Sequence, residues 1–456
     1  MKVVISNMLR LSEIPEQMYA NLTQRLRFAN PKWVENRRMG RWNKGTPKVL
    51  KYYRRYGSGG LIIPRGYMRQ LILMSRKIGE PLTVDDRRRE LPPVDLTFHG
   101  KLKPFQNRAA AIMASRDFGT LSAPTGSGKT VMALHLMARK RQPALVIVHT
   151  RELAFQWLER VHTFLKLPRD EIGLIGGGKK LIGNQVTIGL VQSLYKCARQ
   201  IAPRIGHLVV DECHRAPSRT FTEAVTAFDT RFMLGLSATP WRRDQLSKLI
   251  FWHLGDLHHE VKKPELVAKG HILDIEVIVR KTNFTPYFDP VNEYSKMLSE
   301  LASDDDRNRM IAADIAAEVS ERSSAGVCLV LSDRKKHCQT LHAILRHKFH
   351  VPSTLLTGDL SMTQRQQVVA SLSQGEVQVL IATGQLVGEG FDHPALSTLF
   401  LTTPIRFSGR LLQYLGRVLR PSGIADRARV YDYVDINVPA LVNAAKARAQ
   451  VYGQES

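Results

Sequence analysis

Short runs of branched apolar residues recur between residues 101 and 262, at 120–123, 144–149, 186–190, 207–211 and 231–237. They do not alternate polar with apolar positions, so each predicts a strand covered on both faces, as in a parallel sheet. Between them lie segments with apolar residues at helical spacing, such as 151–164. Strands alternating with helices predict a doubly wound parallel sheet, in which ligands gather at the carboxyl ends of the strands. After a strand-like 272–279 the pattern restarts. Helices are expected over 307–320, 334–348, 364–372 and 408–419, and strands at 327–331, 354–356, 377–382, 399–402 and 428–434. The first hundred residues read differently: a turn at Tyr56-Gly57-Ser58-Gly59-Gly60 between strand-like pieces, a helix over 67–78, and Leu91-Pro92-Pro93 leading out. The predicted fold class is α/β: two tandem doubly wound parallel-sheet domains, residues 101–262 and 263–456, preceded by a small basic α+β domain, residues 1–100. All-α and all-β folds are excluded.

Charge changes the picture. The chain has 66 lysines and arginines against 41 aspartates and glutamates, a formal net charge of +25. Such an excess points to a polyanionic partner. Residues 1–100 hold 20 of the basic residues and 8 of the acidic ones, so about half of the excess sits there. The cations are interleaved with aromatics, as in Lys32-Trp33, Arg41-Trp42 and Lys51-Tyr52-Tyr53-Arg54-Arg55-Tyr56. Phosphates attract such cations and bases stack on such rings, which predicts an accessory nucleic-acid-binding domain; a solvated basic face around a small aromatic core is the alternative. No apolar run approaches the roughly 18 residues of a membrane span, so no membrane partner is expected. Residues 1–7 have too short an apolar core for a signal peptide, and Cys197, Cys213, Cys328 and Cys338 form no C-x-x-C pair. A cytoplasmic protein with reduced thiols is expected.

The candidate chemistry begins at Ala123-Pro124-Thr125-Gly126-Ser127-Gly128-Lys129-Thr130, between a predicted strand and a predicted helix. The spacing is that of a phosphate loop with alanine in the first glycine position. Thr125, Gly126, Ser127 and Gly128 would wrap backbone N–H groups around a triphosphate, Lys129 would reach its β- and γ-phosphates, and the Thr130 hydroxyl would ligate Mg²⁺. His207-Leu208-Val209-Val210-Asp211-Glu212-Cys213-His214 follows, an apolar strand ending in two acids. In isolation such acids are a solvated turn. Behind a buried strand at the same sheet edge, Asp211 can hold Mg²⁺ and Glu212 can orient or deprotonate the attacking water. Ser237-Ala238-Thr239-Pro240 follows the next strand, and its hydroxyls can couple the acids to the state of the nucleotide. In the second domain Gln413, Arg417 and Arg420 share one helical face at i, i+4 and i+7. Such arginines are ordinarily solvated or ion-paired; facing a triphosphate they are arginine fingers.

This ordered set resembles the superfamily 2 helicases and translocases, in particular the XPB-like and phage UvsW-like branch. Lys103-Pro104-Phe105-Gln106 is similar to the adenine-reading Q element, with Gln106 in that role. Residues 123–130 resemble motif I, 150–156 motif Ia, Asp211-Glu212-Cys213-His214 motif II, Ser237-Ala238-Thr239 motif III, 383–392 motif V and 413–420 motif VI. The resemblance covers residues 101–435 and implies an ATPase with two RecA-like domains, ATP and Mg²⁺ as cofactors, and a nucleic-acid strand crossing the domains. It implies that His214, Ser237 and Thr239 couple the acids to the nucleotide and that Asp392 acts on the nucleotide side. It implies backbone contacts from Thr150, Arg151, Thr187, Gln192, Thr357, Gly358 and Thr383. Motif II ending in Cys-His and motif VI beginning with Gln depart from the RNA-dedicated DEAD-box pattern. The expected activity is therefore that of a monomeric ATP-dependent DNA helicase or duplex translocase. It would act on branched or forked DNA in replication, recombination or repair, in a bacterial or phage-infected cell. The competing readings are an RNA helicase and an ATP-switched nucleic-acid-binding module.

Overall fold

The computed structural model describes residues 1–456 except 216–218, 239–245, 272, 322–325, 385–392, 394, 406–410, 412–413, 417, 419–426 and 453–456. The chain forms two compact units, Met1–Ala123 with Gly128–Val261 and Pro124–Ser127 with Lys262–Ser456.

The first unit contains two sheets and a ribbon. The amino-terminal strands are β1 (Lys2–Ile5), β2 (Met8–Ser12), β3 (Arg27–Ala29), β4 (Val49–Lys51), β5 (Arg54–Tyr56), β6 (Gly60–Pro64) and β7 (Thr83–Asp86). Five of them form a sheet in the order β5-β6-β2-β1-β7, and β3 pairs with β4 as a separate ribbon. The expected turn at Tyr56–Gly60 closes β5 against β6, and the expected helix runs over Met68–Ile78, ending on left-handed Gly79. The core of this module, with Leu9, Leu11, Leu22, Leu61 and Ile63 all fully buried, extends onto Leu249 and Trp252 of the helix Ser247–Leu254. Trp252 meets Phe28, Tyr52 and Tyr67 edge-on at centroid distances of 6.1, 5.5 and 6.1 Å. Two aromatics of the basic segment, Phe28 and Tyr52, therefore pack half-buried against the core. Buried Arg65 donates to the Thr230 carbonyl at 2.7 Å, and Arg69 pairs with Asp256 at 3.1 Å.

The larger sheet of this unit follows: β8 (Phe118–Ser122), β9 (Ala144–Val148), β10 (Gly173–Gly176), β11 (Lys179–Leu181), β12 (Val186–Leu190), β13 (His207–Val210), β14 (Phe232–Ser237) and β15 (Leu257–Glu260). Their order is β11-β10-β12-β9-β13-β14-β8-β15, parallel except at the β10–β11 edge hairpin. In the second unit β16 (Asp274–Thr282), β17 (Val327–Ser332), β18 (Ser353–Leu356), β19 (Val379–Thr383), β20 (Leu396–Leu401) and β21 (Arg427–Asp435) form a parallel sheet ordered β16-β21-β20-β17-β19-β18. The doubly wound α/β reading holds for both sheets. The strands β10, β11 and β15 lie outside it: Lys179-Lys180-Leu181 and Leu257-His258-His259-Glu260 are too polar to announce buried strands, and Gly173-Leu174-Ile175-Gly176 has only two apolar residues between glycines. The expected helix over 408–419 lies partly outside the described residues.

Burial holds His207, His253 and His337 well below the ordinary histidine pKa. Burial, reinforced by Lys140, depresses the pKa of His207 to about 3; burial and Arg65 bring that of His253 to about 4. His337 is held down to about 3 by burial and Arg307, with Nδ1 3.0 Å from the Ser332 hydroxyl and Nε2 2.8 Å from Asn308 Oδ1. Unfolded histidine titrates near 6.5. Below that pH the unfolded chain binds protons that the folded chain refuses, so stability present above about pH 6.5 is lost as the pH falls towards 4. At pH 5 each such histidine should cost about 2 kcal/mol. Urea unfolding of the second unit at pH 7.5 and 5.0 should show this loss, and His337→Gln should remove about that much of it; an unchanged pH difference in the variant would refute the assignment.

Candidate active site

The carboxyl ends of β8, β13 and β14 meet at one edge, because Ser122 lies opposite Ser237 and Val210 opposite Gly235. The loop leaving β8 starts at Ala123, whose N–H donates to the Ser237 carbonyl at 3.0 Å. Thr125 and the exposed Gly126 lie on its arc, and the Ser127 N–H donates to the Pro124 carbonyl at 3.2 Å. Gly126 and Gly128 both have φ of +84°, a left-handed backbone that glycine adopts without strain. Gly128 is the N-cap of the helix Lys129–Lys140, so the first-turn N–H groups and the positive end of the helix face the loop. A Cβ on Gly128 would come within 2.4 Å of the Gln106 amide nitrogen, so a side chain there would displace Gln106 as well as strain the left-handed backbone. The Gln106 Oε1 accepts the Lys103 N–H at 2.8 Å, which fixes the side chain beside the loop. Lys129 is buried, and its ammonium donates to the Ala123 carbonyl at 3.0 Å.

Asp211 and Glu212 stand immediately beyond β13. Glu212 has a φ of +48°, a left-handed conformation that costs a non-glycine residue on the order of 1 kcal/mol. It turns the chain sharply at the strand end, and the Glu212 N–H donates back to Asp211 Oδ1 at 2.9 Å. The Trp157 Nε1–H donates to Asp211 Oδ2 at 2.8 Å. Burial, and then the neighbouring Glu212 charge, raise the Asp211 pKa above the usual carboxylate range; the indole, Lys129 and the Glu212 N–H pull the other way. A cation beside Asp211 would relieve both causes. His214 Nδ1 lies 3.1 Å from Glu212 Oε2 and 3.0 Å from the Ser237 hydroxyl, so one imidazole nitrogen joins the acid to the end of β14. Thr130, in the first turn of the loop helix, and Asp211 offer hydroxyl and carboxylate oxygens, the donor types Mg²⁺ takes. The loop, the lysine and these oxygens fit a magnesium nucleotide.

The residues expected to touch nucleic acid lie at strand ends, with one exception. Thr150 caps the helix Arg151–Leu165, accepting the Leu153 N–H at 3.3 Å, and Arg151 is exposed beside it. Gln192 is exposed in the turn of helix after β12. In the second unit Thr357 and the exposed Gly358 follow β18, and Thr383 ends β19. Thr187 is the correction. It is the second residue of β12, fully buried, and its hydroxyl accepts the Gly183 N–H at 3.1 Å, so it cannot reach a phosphate. Thr239, Asp392, Gln413, Arg417 and Arg420 lie outside the described residues. Two features escaped the sequence reading. One is Trp157, which looks like any core aromatic. The other is the loop Gly176-Gly177-Gly178, where a Cβ on Gly177 would lie 3.8 Å from Arg151 Nε; three consecutive glycines followed by two lysines were its available signal.

Comparisons with known proteins agree with this geometry. Residues 99–242 match the family model of the type III restriction enzyme res subunit, and residues 310–422 match that of the helicase conserved C-terminal domain. The DNA 3'-5' translocase XPB2 of Sulfurisphaera tokodaii is 25% identical over 353 residues, covering 70% of this chain and 79% of its own. A protein of Acanthamoeba polyphaga mimivirus, provisionally named an ATP-dependent RNA helicase, is 25% identical over 392 residues, covering 83% of this chain and 73% of its own. Among solved structures, Saccharomyces cerevisiae Dbp5 bound to RNA and ADP BeF3 shares the fold with a TM-score of 0.55 and 19% identity, over 78% of this chain and 89% of that one. A phosphate loop on one parallel sheet and a helicase carboxyl-terminal match on the other make this chain an ATP-dependent helicase on two RecA-like domains, with homologues among the XPB helicases.

Proposed function

We propose that the protein is a DNA translocase that hydrolyses ATP to move along DNA and remodels branched or forked substrates. The observation that carries the hydrolytic part is the convergence of Lys129, Asp211 and the Glu212–His214–Ser237 chain at one sheet edge. In this reading residues 125–130 hold the triphosphate, Gln106 reads the adenine, and Thr130 and Asp211 hold Mg²⁺, which offsets phosphate charge when bound. Glu212 orients the attacking water and takes its proton, while His214 and Ser237, with Thr239, relay the state of the site. Arg417, Arg420 and Gln413 stabilise the charge that develops on the transferred phosphoryl group, and Asp392 belongs to the nucleotide side. Thr150, Arg151, Gln192, Thr357, Gly358 and Thr383 contact the nucleic-acid backbone. The relative named as a DNA translocase supports DNA over RNA, as do Cys213-His214 in motif II and Gln413 in motif VI. The mimivirus relative's name favours RNA, and one experiment decides. ATP turnover should rise at least tenfold with forked or four-way DNA and less with RNA duplexes; the reverse order would make the enzyme an RNA helicase, and no stimulation by either would remove the motor reading.

The amino-terminal module supplies a second nucleic-acid surface in this reading. Much of its charge is engaged elsewhere: Arg65 is buried, and Arg88 and Arg89 pair with Asp117 and Asp229 at 2.8 and 2.9 Å. The segment between β3 and β4 is different. Its helix Pro31–Arg38 buries no residue, Trp42 is 81% exposed with Lys44 5.1 Å from its ring, and Trp33 has Arg37 and Lys48 at 5.6 and 5.5 Å. One exposed and one half-buried indole, each flanked by cations, suit base stacking beside a phosphate chain. Each stacked base is worth about 1–3 kcal/mol, so Trp33→Ala with Trp42→Ala should weaken forked-DNA binding at least about tenfold. Fluorescence anisotropy at two salt concentrations measures this, and unchanged affinity would discard the surface.

A further inference from the structure

Asp211 is gripped from two directions by N–H groups of different elements. The Glu212 N–H fixes Oδ1 from within the strand-end turn, and the Trp157 indole fixes Oδ2 from the helix Arg151–Leu165. Trp157 is 1% exposed, so no water competes for the indole N–H. Each carboxylate oxygen keeps a further lone pair for a cation or its water. The helix carrying the indole begins at Thr150 and Arg151, beside Gly177, and Trp157 lies six residues, about 9 Å, along its axis from Arg151. A helix in which every backbone bond is made internally moves as one body over such a distance. A shift of its exposed amino-terminal end is therefore delivered to the carboxylate through one buried hydrogen bond.

We infer that Trp157 is a positioning residue: its indole N–H holds the Asp211 carboxylate in the orientation that the magnesium nucleotide needs, and ties that orientation to nucleic acid bound at Thr150 and Arg151. The inference rests on the functional reading above, because it takes Asp211 as the carboxylate beside the ion and Arg151 as a backbone contact. A tryptophan that only fills the core would need its ring and not its N–H. The ring and the donor can be separated chemically. Trp157→Phe keeps an aromatic ring, and site-specific replacement by β-(3-benzothienyl)alanine keeps the bicyclic shape with sulfur where the N–H was.

The experiment measures binding without turnover. A fluorescent ADP analogue is titrated into the full-length protein with Mg²⁺ and with EDTA, and thermal unfolding is followed in parallel. A hydrogen bond to a charged acceptor is worth about tenfold or more in an equilibrium, so the gain in nucleotide affinity given by Mg²⁺ should shrink about tenfold in both replacements. The unfolding temperature of the benzothienyl protein should stay within a few degrees of wild type. In ATPase assays of the same proteins, the factor by which forked DNA stimulates turnover should fall as well. A wild-type response to Mg²⁺ in the benzothienyl protein would overturn the inference, and so would a lost response restored by the sulfur ring alone. Failure of the underlying reading shows separately, as a wild-type enzyme whose turnover ignores nucleic acid. If Trp157→Phe fails to fold, the shape-preserving replacement still decides.

Discussion

Glu212→Gln should turn over ATP at least about a hundredfold more slowly than wild type, with nucleotide binding retained. General-base assistance by a positioned carboxylate contributes about 10²–10⁴ in rate, and a glutamine has the shape of the acid without its basicity. The surroundings make the test clean. Glu212 sits in a left-handed turn set by the end of β13, and its carboxylate oxygen is 3.1 Å from His214 Nδ1, a contact that an amide oxygen can also make. The substitution therefore removes the charge and leaves the turn and its neighbours in place. Steady-state ATPase with saturating forked DNA reads the loss, and a fluorescent nucleotide reads the retained binding. Turnover within a few-fold of wild type would transfer the base role away from Glu212. A parallel loss of nucleotide affinity would make the residue a binding group.

How much of this was legible beforehand depends on what kind of constraint each residue obeys. The phosphate loop declares itself because a backbone wrapped around an anion requires glycines at fixed offsets, and residues 126 and 128 both take left-handed φ. The parallel strands declare themselves because burial on both faces requires unbroken apolar runs, as in Ala144–Val148 and in Leu208, Val209 and Val210 of β13. Polar edge strands such as β15 are invisible to that reasoning, since their place is set by the neighbouring strand. Thr187 shows the converse error. A threonine near a strand end reads as a backbone-contacting hydroxyl, but the register of β12 against β9 puts it opposite Leu145, inside the sheet. The basic segment was legible as charge and not as geometry. Sequence cannot tell that Tyr52 is drawn against the core at Trp252 while Trp42 stays in solvent, because the deciding surface is the helix Ser247–Leu254, far along the chain. Trp157 illustrates the same limit in the active site: its partner lies 54 positions away, and nothing in a periodic apolar stripe marks one indole as a donor.

Arg420→Ala should lower stimulated ATP turnover about 10³-fold, and Arg417→Ala by a comparable factor. A guanidinium that meets the charge developing on a transferred phosphoryl group is worth about 10³–10⁵ in rate. The expectation for both arginines rests on the sequence pattern, with Gln413, Arg417 and Arg420 at helical spacing. Described neighbours in that stretch obey the same periodicity: Leu411, Tyr414, Leu415 and Val418 are all buried, and the Tyr414 hydroxyl donates to the Gly384 carbonyl at 2.7 Å. The described apolar positions of that stretch are thus buried, as the amphipathic pattern requires. Lysine is the informative control. Arg420→Lys keeps the positive charge but loses the planar fork that engages two oxygens at once, so it should recover only a small part of the rate. A structural arginine would give a different pattern, with Arg420→Lys close to wild type and Arg420→Ala lowering the unfolding temperature along with activity. Single-turnover hydrolysis, nucleotide affinity and thermal unfolding of the three proteins separate the two cases, and a rate for Arg420→Ala within tenfold of wild type would remove this residue from the chemistry.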